Sequence, residues 1–239
     1  MSACASQTER QLHVAAAASL APAFIELGNL FTETTGEQVV LTFSSTGALT
    51  EQIRNGAPFD VFASADEEHI DELISGGYLL PASKIRFASG SVILLVSLEH
   101  EDDVMRLSDL TRAQIRRIAI ANPELAPYGI AARQILLDAG LWDALQEKIV
   151  MAETVGQAYI FVTSGNADAG IVARSVLTAE GRDLPLFPLS TDNPPQHWGA
   201  ILAESQQTPL AATFLDFLTT PAARQVFDDF GFQPAESKP

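Results

Sequence analysis

The stretch EQVVLTFSSTGALTEQIRNGAPFDVFASA, Glu37–Ala65, decides how the chain folds. Glu37–Ser45 is rich in β-branched and apolar residues and reads as a strand. Thr46–Gly56 reads as a helix that the Asn55-Gly56 pair brings to an end. Phe59–Ala65 is a second strand. Strand, helix and strand at this spacing form a βαβ unit, so a largely parallel sheet with helices on both faces is expected.

The alternation continues on both sides of this unit. Upstream, Gln11–Ala18 reads as a short buried strand and Leu20–Gly36 as an amphipathic helix. Phe24, Leu27, Leu30 and Phe31 share one face of that helix, and Gly36 provides the stop. Downstream comes a helix over Asp66–Gly77, then Ser91–Leu98, the most strand-like run in the chain. A second series follows: strand Arg116–Asn122, helices Tyr128–Gly140 and Val155–Gly165, and strand Asp168–Ala173. Leu184–Ser190 is a short strand before the Pro-rich loop Thr191–Pro195, and two helices, Pro209–Thr220 and Pro221–Gly231, close the chain. This pattern predicts two α/β lobes, with crossings near Ser91 and Pro195. Residues 1–91 plus 196–239 would form a discontinuous first lobe, and 92–195 the second. Open α/β sheets bind ligands at the carboxyl ends of their strands, an edge that would here face the cleft between lobes.

Composition narrows the function. With 239 residues, 47% of them hydrophobic, the chain can bury a sizeable core. No apolar run approaches the length needed to span a bilayer. Lys plus Arg total 14 against 30 Asp plus Glu, a formal charge of −16, which argues against a nucleic-acid partner. The same charge repels anions at long range, so an anion site would depend on local donors. One cysteine, Cys4, excludes a disulfide framework and a cysteine-based metal site. "SAC" before a polar stretch resembles the end of a bacterial lipoprotein signal, in which Cys4 would carry the lipid anchor. An unmodified cysteine in a frayed terminus fits the same residues.

Catalytic signatures are missing. The chain has no phosphate loop, no dinucleotide fingerprint and no nucleophile elbow. His13, His69, His100 and His197 are isolated, with no second histidine at ligand spacing. Ser19 could act as a nucleophile only with a base in reach. His13 lies six residues back, roughly 20 Å away if extended, and His197 could approach only through tertiary folding. A serine hydrolase therefore stays open as the alternative from a different class.

Four segments share one design, a small or hydroxyl residue between a strand end or loop and a helix start. They are AAASLAP with Ser19, FSSTGAL with Ser45 and Thr46, LAPYGIAA with Tyr128, and AETVGQA with Thr154 and Val155. A helix start leaves backbone N–H groups unpaired and carries partial positive charge, so it is a natural anion site. Singly, each segment reads as an N-cap. Four of them, two per lobe on the cleft edge, point to a bound anion. The glycines after Thr46, Tyr128 and Val155 would keep bulk away from the amides.

The segments VAAAASL, FSSTGALTEQIRNGAPFDVFASAD, ANPELAPYGIAA, GIVA and FDDFGFQP together resemble the periplasmic molybdate-binding proteins of bacterial ABC transporters, from about Leu12 to Gln233. The resemblance implies a type II periplasmic-binding fold, two doubly wound α/β lobes with a ligand cleft between them. It implies a monomeric binding protein, not an enzyme, that needs no cofactor, captures molybdate or tungstate and delivers it to a membrane permease. A receptor for sulfate or thiosulfate is the alternative within this class. The implied ligands are Ser19 and Thr46 through hydroxyl and backbone N–H, and Tyr128 and Val155 through backbone N–H, with Ser45 and Ala173 as further candidates. No metal site is implied beyond the molybdenum of the anion itself. The family often has a tyrosine where Ala173 stands, so the Tyr128 phenol is expected to turn over the cleft in its place, with Arg174 next in line. Glu67, Glu68 and Asp71 are expected to face either solvent or basic loops of the permease.

Overall fold

The computed structural model describes residues 11–178 and 183–234 of the 239. Cys4 lies outside them. The chain begins with β1 (Gln11–Ala17), α1 (Ala21–Thr35), β2 (Gln38–Ser44), α2 (Thr46–Arg54), β3 (Val61–Ser64) and α3 (Glu68–Ser75). β4 (Ile85–Ser89) leads to β5 (Val92–Val96), and the second series runs β6 (Ile118–Ala121), α4 (Pro127–Asp138), α5 (Trp142–Leu145), β7 (Ile149–Ala152), α6 (Val155–Thr163), β8 (Ala169–Ala173) and β9 (Leu186–Leu189). β10 (Gln196–Ile201), α7 (Thr208–Phe217), α8 (Pro221–Asp229) and β11 (Gln233–Pro234) finish the chain.

These strands form two sheets, ordered β11-β4-β10-β3-β1-β2 and β7-β6-β8-β5-β9. Each has a parallel half, β3-β1-β2 in one and β7-β6-β8 in the other. The sheets are mixed rather than largely parallel, because β10 runs antiparallel to β3 and β4, and β5 antiparallel to β8 and β9. The cause is the crossover. β5 enters its sheet at the edge where the parallel strands end, Val92 pairing with Ala173 at the end of β8. A strand entering there can only run away from that edge. β10 returns in the same way, Trp198 pairing with Ser64 at the end of β3. The carboxyl ends of both parallel halves therefore face the junction of the lobes.

Packing fixes that edge. β1 lies between β2 and β3, and its small residues Ala15, Ala16 and Ala17 are buried. Phe24, Leu27 and Phe31 of α1 are fully buried, and Phe214 of α7 meets Phe24 and Phe31 edge-on at 6.1 and 5.2 Å. Edge-to-face rings align the aromatic quadrupoles, and burying each such side chain contributes roughly 1.5–3 kcal/mol. The C-terminal helices are thereby fastened to the first sheet. β5, VILLV, is buried along its whole length, as befits a strand paired on both sides. Among the described residues no helix is long and apolar enough to cross a membrane.

Candidate functional site

Five of the residues singled out in the sequence come together. Ser19, Ser45 and Thr46 from the first lobe, with Tyr128 and Val155 from the second, line one small cavity at the junction. Ala17, Ala18, Ala65, Ala126 and Pro127 complete its wall, and no lining side chain carries a formal charge. The polar residues there are almost wholly removed from solvent, Ser19 and Thr46 being 1% exposed. Ala173 is elsewhere; it ends β8, fully buried and paired with Val92.

Ser19 is not the N-cap expected from the sequence. A three-residue 3-10 turn, Ala18–Leu20, intervenes between β1 and α1 and shifts the helix start to Ala21. Pro22 then occupies the first turn of α1, where its fixed φ and missing N–H are tolerated. Freed from capping, the Ser19 hydroxyl meets His197 Nε2 of β10 at 3.0 Å, and the Ser19 carbonyl accepts from Ser175 Oγ of the second lobe at 2.7 Å. Ser45 holds the N-cap position of α2 without a side-chain capping bond. Thr46 is the first residue of α2, and its Oγ1 accepts the Ala65 N–H at 3.2 Å, leaving its own hydrogen free.

The second lobe contributes helix starts. Val155 opens α6 behind a true cap, since Thr154 Oγ1 accepts the Gln157 N–H at 3.0 Å. Tyr128 is the second residue of α4. Amides in these positions have no acceptor within their own helix and lie at the positive end of its dipole.

The three glycines beside these amides are not alike. Gly47 donates its N–H across the junction to the Leu125 carbonyl at 2.9 Å, and a Cβ there would sit 3.0 Å from that oxygen. At Gly129 a Cβ would lie 2.3 Å from the Ala121 carbonyl, so glycine lets α4 pack against the end of β6. Gly156 has open space, with nothing nearer than Thr154 Oγ1 at 3.8 Å.

The Tyr128 ring is buried and its oxygen lies against Gly90, between β4 and β5, where a Cβ would come within 1.9 Å of it. Gly90 is not part of the cavity wall; its N–H bonds the Pro195 carbonyl at 2.8 Å and ties the two crossovers together. Burial pushes the phenol pKa up, only partly offset by the nearby Ser175 hydroxyl, and among the described residues no group completes a well-formed hydrogen bond to its oxygen. Arg174 is exposed and packs its side chain over Gly231, away from the cavity. Of the three acids expected to face either solvent or basic loops of the permease, Glu67 and Asp71 are held by Lys84 at 2.7 and 2.5 Å.

The fold thus brings Ser19 and His197 together, as a hydrolase would require, but their surroundings oppose that chemistry. Burial holds His197 down to about 3, with the charge of Asp66 opposing weakly, so the ring is neutral and a poor proton acceptor. Among the described residues its Nδ1 has no hydrogen-bond partner, so no carboxylate there orients it or stabilises a cation. His197, Ser175 and Gly90 carry no local sequence signal; each acquires its position only through long-range contacts.

Comparison with known proteins identifies the family and the fold. The family model for bacterial extracellular solute-binding proteins matches residues 12–233. A molybdate-binding protein of Rhodobacter capsulatus is 34% identical over 211 residues, 87% of this chain and 82% of that one. A putative ABC transporter substrate-binding lipoprotein of Bacillus subtilis is 27% identical over 95% of this chain and 88% of its own. The solved periplasmic molybdate-binding protein of Azotobacter vinelandii aligns with a TM-score of 0.87 at 32% identity, covering 94% of this chain and 100% of that one. Matched along nearly its whole length and in its two-lobed fold, the chain belongs to the bacterial extracellular solute-binding proteins, receptors rather than enzymes.

Proposed function

We propose that this protein captures molybdate, and tungstate with it, between its two lobes and delivers the ion to the permease of an ABC transporter. The observation that carries this reading is the uncharged cavity, where hydroxyls of one lobe face helix starts of the other. Ser19 and Thr46 bind through hydroxyl and N–H, Tyr128 and Val155 through N–H alone, with Ser45 as a further candidate. The relatives named for molybdate support the choice of ion.

Neutral donors suit a fully ionised tetrahedral anion. A phosphate that keeps a proton would leave a donor facing its hydroxyl, at a cost of about 1–3 kcal/mol. Sulfate carries the same charge on shorter bonds and would reach a rigid ring of donors poorly. The lobes that go with this reading are 1–91 plus 196–239 and 92–195, since the chain passes between sheets after Ser89 and again after Leu189. They close on the ion by a hinge at these crossovers. The protein acts as a periplasmic monomer, lipid-anchored through Cys4, and binds no nucleic acid. The lipoprotein relative supports the anchor.

Calorimetric titration with molybdate, tungstate, sulfate and phosphate tests the reading. The first two are expected to bind at least about a hundredfold more tightly than the others, roughly 2.7 kcal/mol. Comparable affinity for sulfate would reject molybdate as the physiological ion.

A further inference from the structure

The contact between Ser19 and His197 does no chemistry, yet it is buried and touches a residue assigned to the anion. A hydroxyl has one hydrogen and two lone pairs, so what Ser19 offers the cavity depends on what it gives His197. A neutral imidazole has two tautomers. With the proton on Nδ1, Nε2 is an acceptor and takes the Ser19 hydrogen, leaving only lone pairs to face an anion. With the proton on Nε2, the ring donates to Ser19 Oγ, and the Ser19 hydrogen is free for the ligand.

We propose that His197 is a positioning residue of the anion site, donating from Nε2 to Ser19 so that Ser19 points its hydrogen at the bound oxyanion. The proposal rests on the reading of Ser19 as an anion ligand given above.

Three observations support it. The two hydroxyls of the site are backed alike: Thr46 Oγ1 accepts the Ala65 N–H at 3.2 Å, and Ser19 Oγ meets Nε2 at 3.0 Å. Each would accept a donor from the protein behind it and keep its hydrogen for the cavity. Next, Nδ1 has no partner among the described residues. A buried N–H without an acceptor is rarer than an under-satisfied acceptor, which favours the tautomer that leaves Nδ1 as a bare lone pair. Finally, the ring is held by packing, edge-on to Phe232 at 5.1 Å and tilted against Tyr128 and Phe87 at 6.2 and 6.3 Å. Because the ring stays neutral, it supplies direction and no net charge that would attract every anion alike.

The test uses the full chain and sodium molybdate. Calorimetry compares wild type with His197→Met, which removes the donor; His197→Gln, whose amide can replace it; Ser19→Ala; and the double variant Ser19→Ala/His197→Met. Loss of a hydrogen bond oriented toward a charged ligand should weaken binding about tenfold in His197→Met. His197→Gln should regain most of that loss. In the Ser19→Ala background the methionine should add less than about twofold, because His197 acts through Ser19. In 15N-histidine NMR spectra of the molybdate complex, with His197 assigned by its loss in a variant, the proton should reside on Nε2.

Near wild-type affinity in His197→Met beside a weakened Ser19→Ala would overturn the proposal and leave the anion site standing. An equal loss from methionine in both backgrounds would also overturn it, since that is the mark of a purely structural residue. Unchanged binding in Ser19→Ala would remove the underlying reading and this inference with it. Should His197→Met fail to fold, the glutamine variant and the spectra still decide, and a proton on Nδ1 in the complex refutes the proposal.

Discussion

The two halves of the cavity are built from different materials. The first lobe presents hydroxyls, Ser19 and Thr46, each in contact with a nitrogen behind it, His197 Nε2 and the Ala65 amide. The second lobe presents the opening residues of α4 and α6, where in the proposed reading Tyr128 and Val155 supply an amide while their side chains are buried. One half depends on residue identity and the other on backbone conformation. Substitution should therefore act through the side chain in the first lobe, and in the second only where it removes an N–H.

Val155→Pro makes the sharpest break. Proline suits the first helical position, and Thr154 already has the extended backbone, φ −133° and ψ 160°, that a residue before proline requires. The helix should survive while one anion donor disappears. Molybdate affinity should fall about a hundredfold by calorimetry, near the upper end for a hydrogen bond to a charged group, with free-protein melting little changed. Wild-type affinity in this variant would remove α6 from the site.

Ser19→Ala and Thr46→Val test the first half, and each should weaken binding about tenfold. They should differ in the free protein. Thr46→Val strands the buried Ala65 N–H and should lower stability by about 1–3 kcal/mol in urea denaturation. If both variants bind normally, the hydroxyls are structural. Val155→Ala keeps the amide and should cost no more than about threefold, well over an order below the proline change; a loss as large as that of Val155→Pro would mean that the side chain itself shapes the cavity.

The smallest effect concerns pH. His197 titrates near 3 in the folded chain, against 6.5 for an unperturbed histidine. As pH falls the unfolded chain takes up this proton first, so the contribution of the neutral ring is complete above about 6.5 and is lost from there toward 3. His69 acts in the opposite sense. Its hydrogen bond to Asp66 raises its pKa, and that contribution is complete below 6.5 and lost as pH rises through the folded value. In His197→Gln the decline in stability between about pH 6.5 and 5 should be shallower by at most about 2 kcal/mol. An unchanged slope in urea midpoints across that range would show that His197 is not the group responsible.

The division between side chain and backbone also governs what can be read from the sequence. Small and hydroxyl residues before helices mark all four corners of the cavity, because helix starts have compositional signatures that need no partner. The strands β4 and β7 lack such a signature: IRFAS carries a charge near its start, and IVMA is short and partly exposed. The antiparallel runs of β5 and β10 follow from where the chain crosses between sheets, which hydrophobic period does not record. Ser19 reads as a cap because a single 3-10 turn is too short to leave a pattern. His197 is illegible as a partner, since 178 residues separate it from Ser19 and nothing in QHWGAI announces the contact.

The bond from the Gly47 amide to the Leu125 carbonyl joins one lobe to the other using the protein alone. On the hinge closure proposed above, it favours the closed arrangement whether or not an ion is inside. A net contribution of roughly 0.5–1.5 kcal/mol would shift the balance of empty open and closed molecules about two- to twelvefold. When only the closed form grips the ion, the apparent dissociation constant scales inversely with the fraction already closed. Part of the receptor's tightness is thus set where no ligand atom makes contact, and a change at Gly47 could retune it while the ring of donors, and the choice of ion, stayed the same.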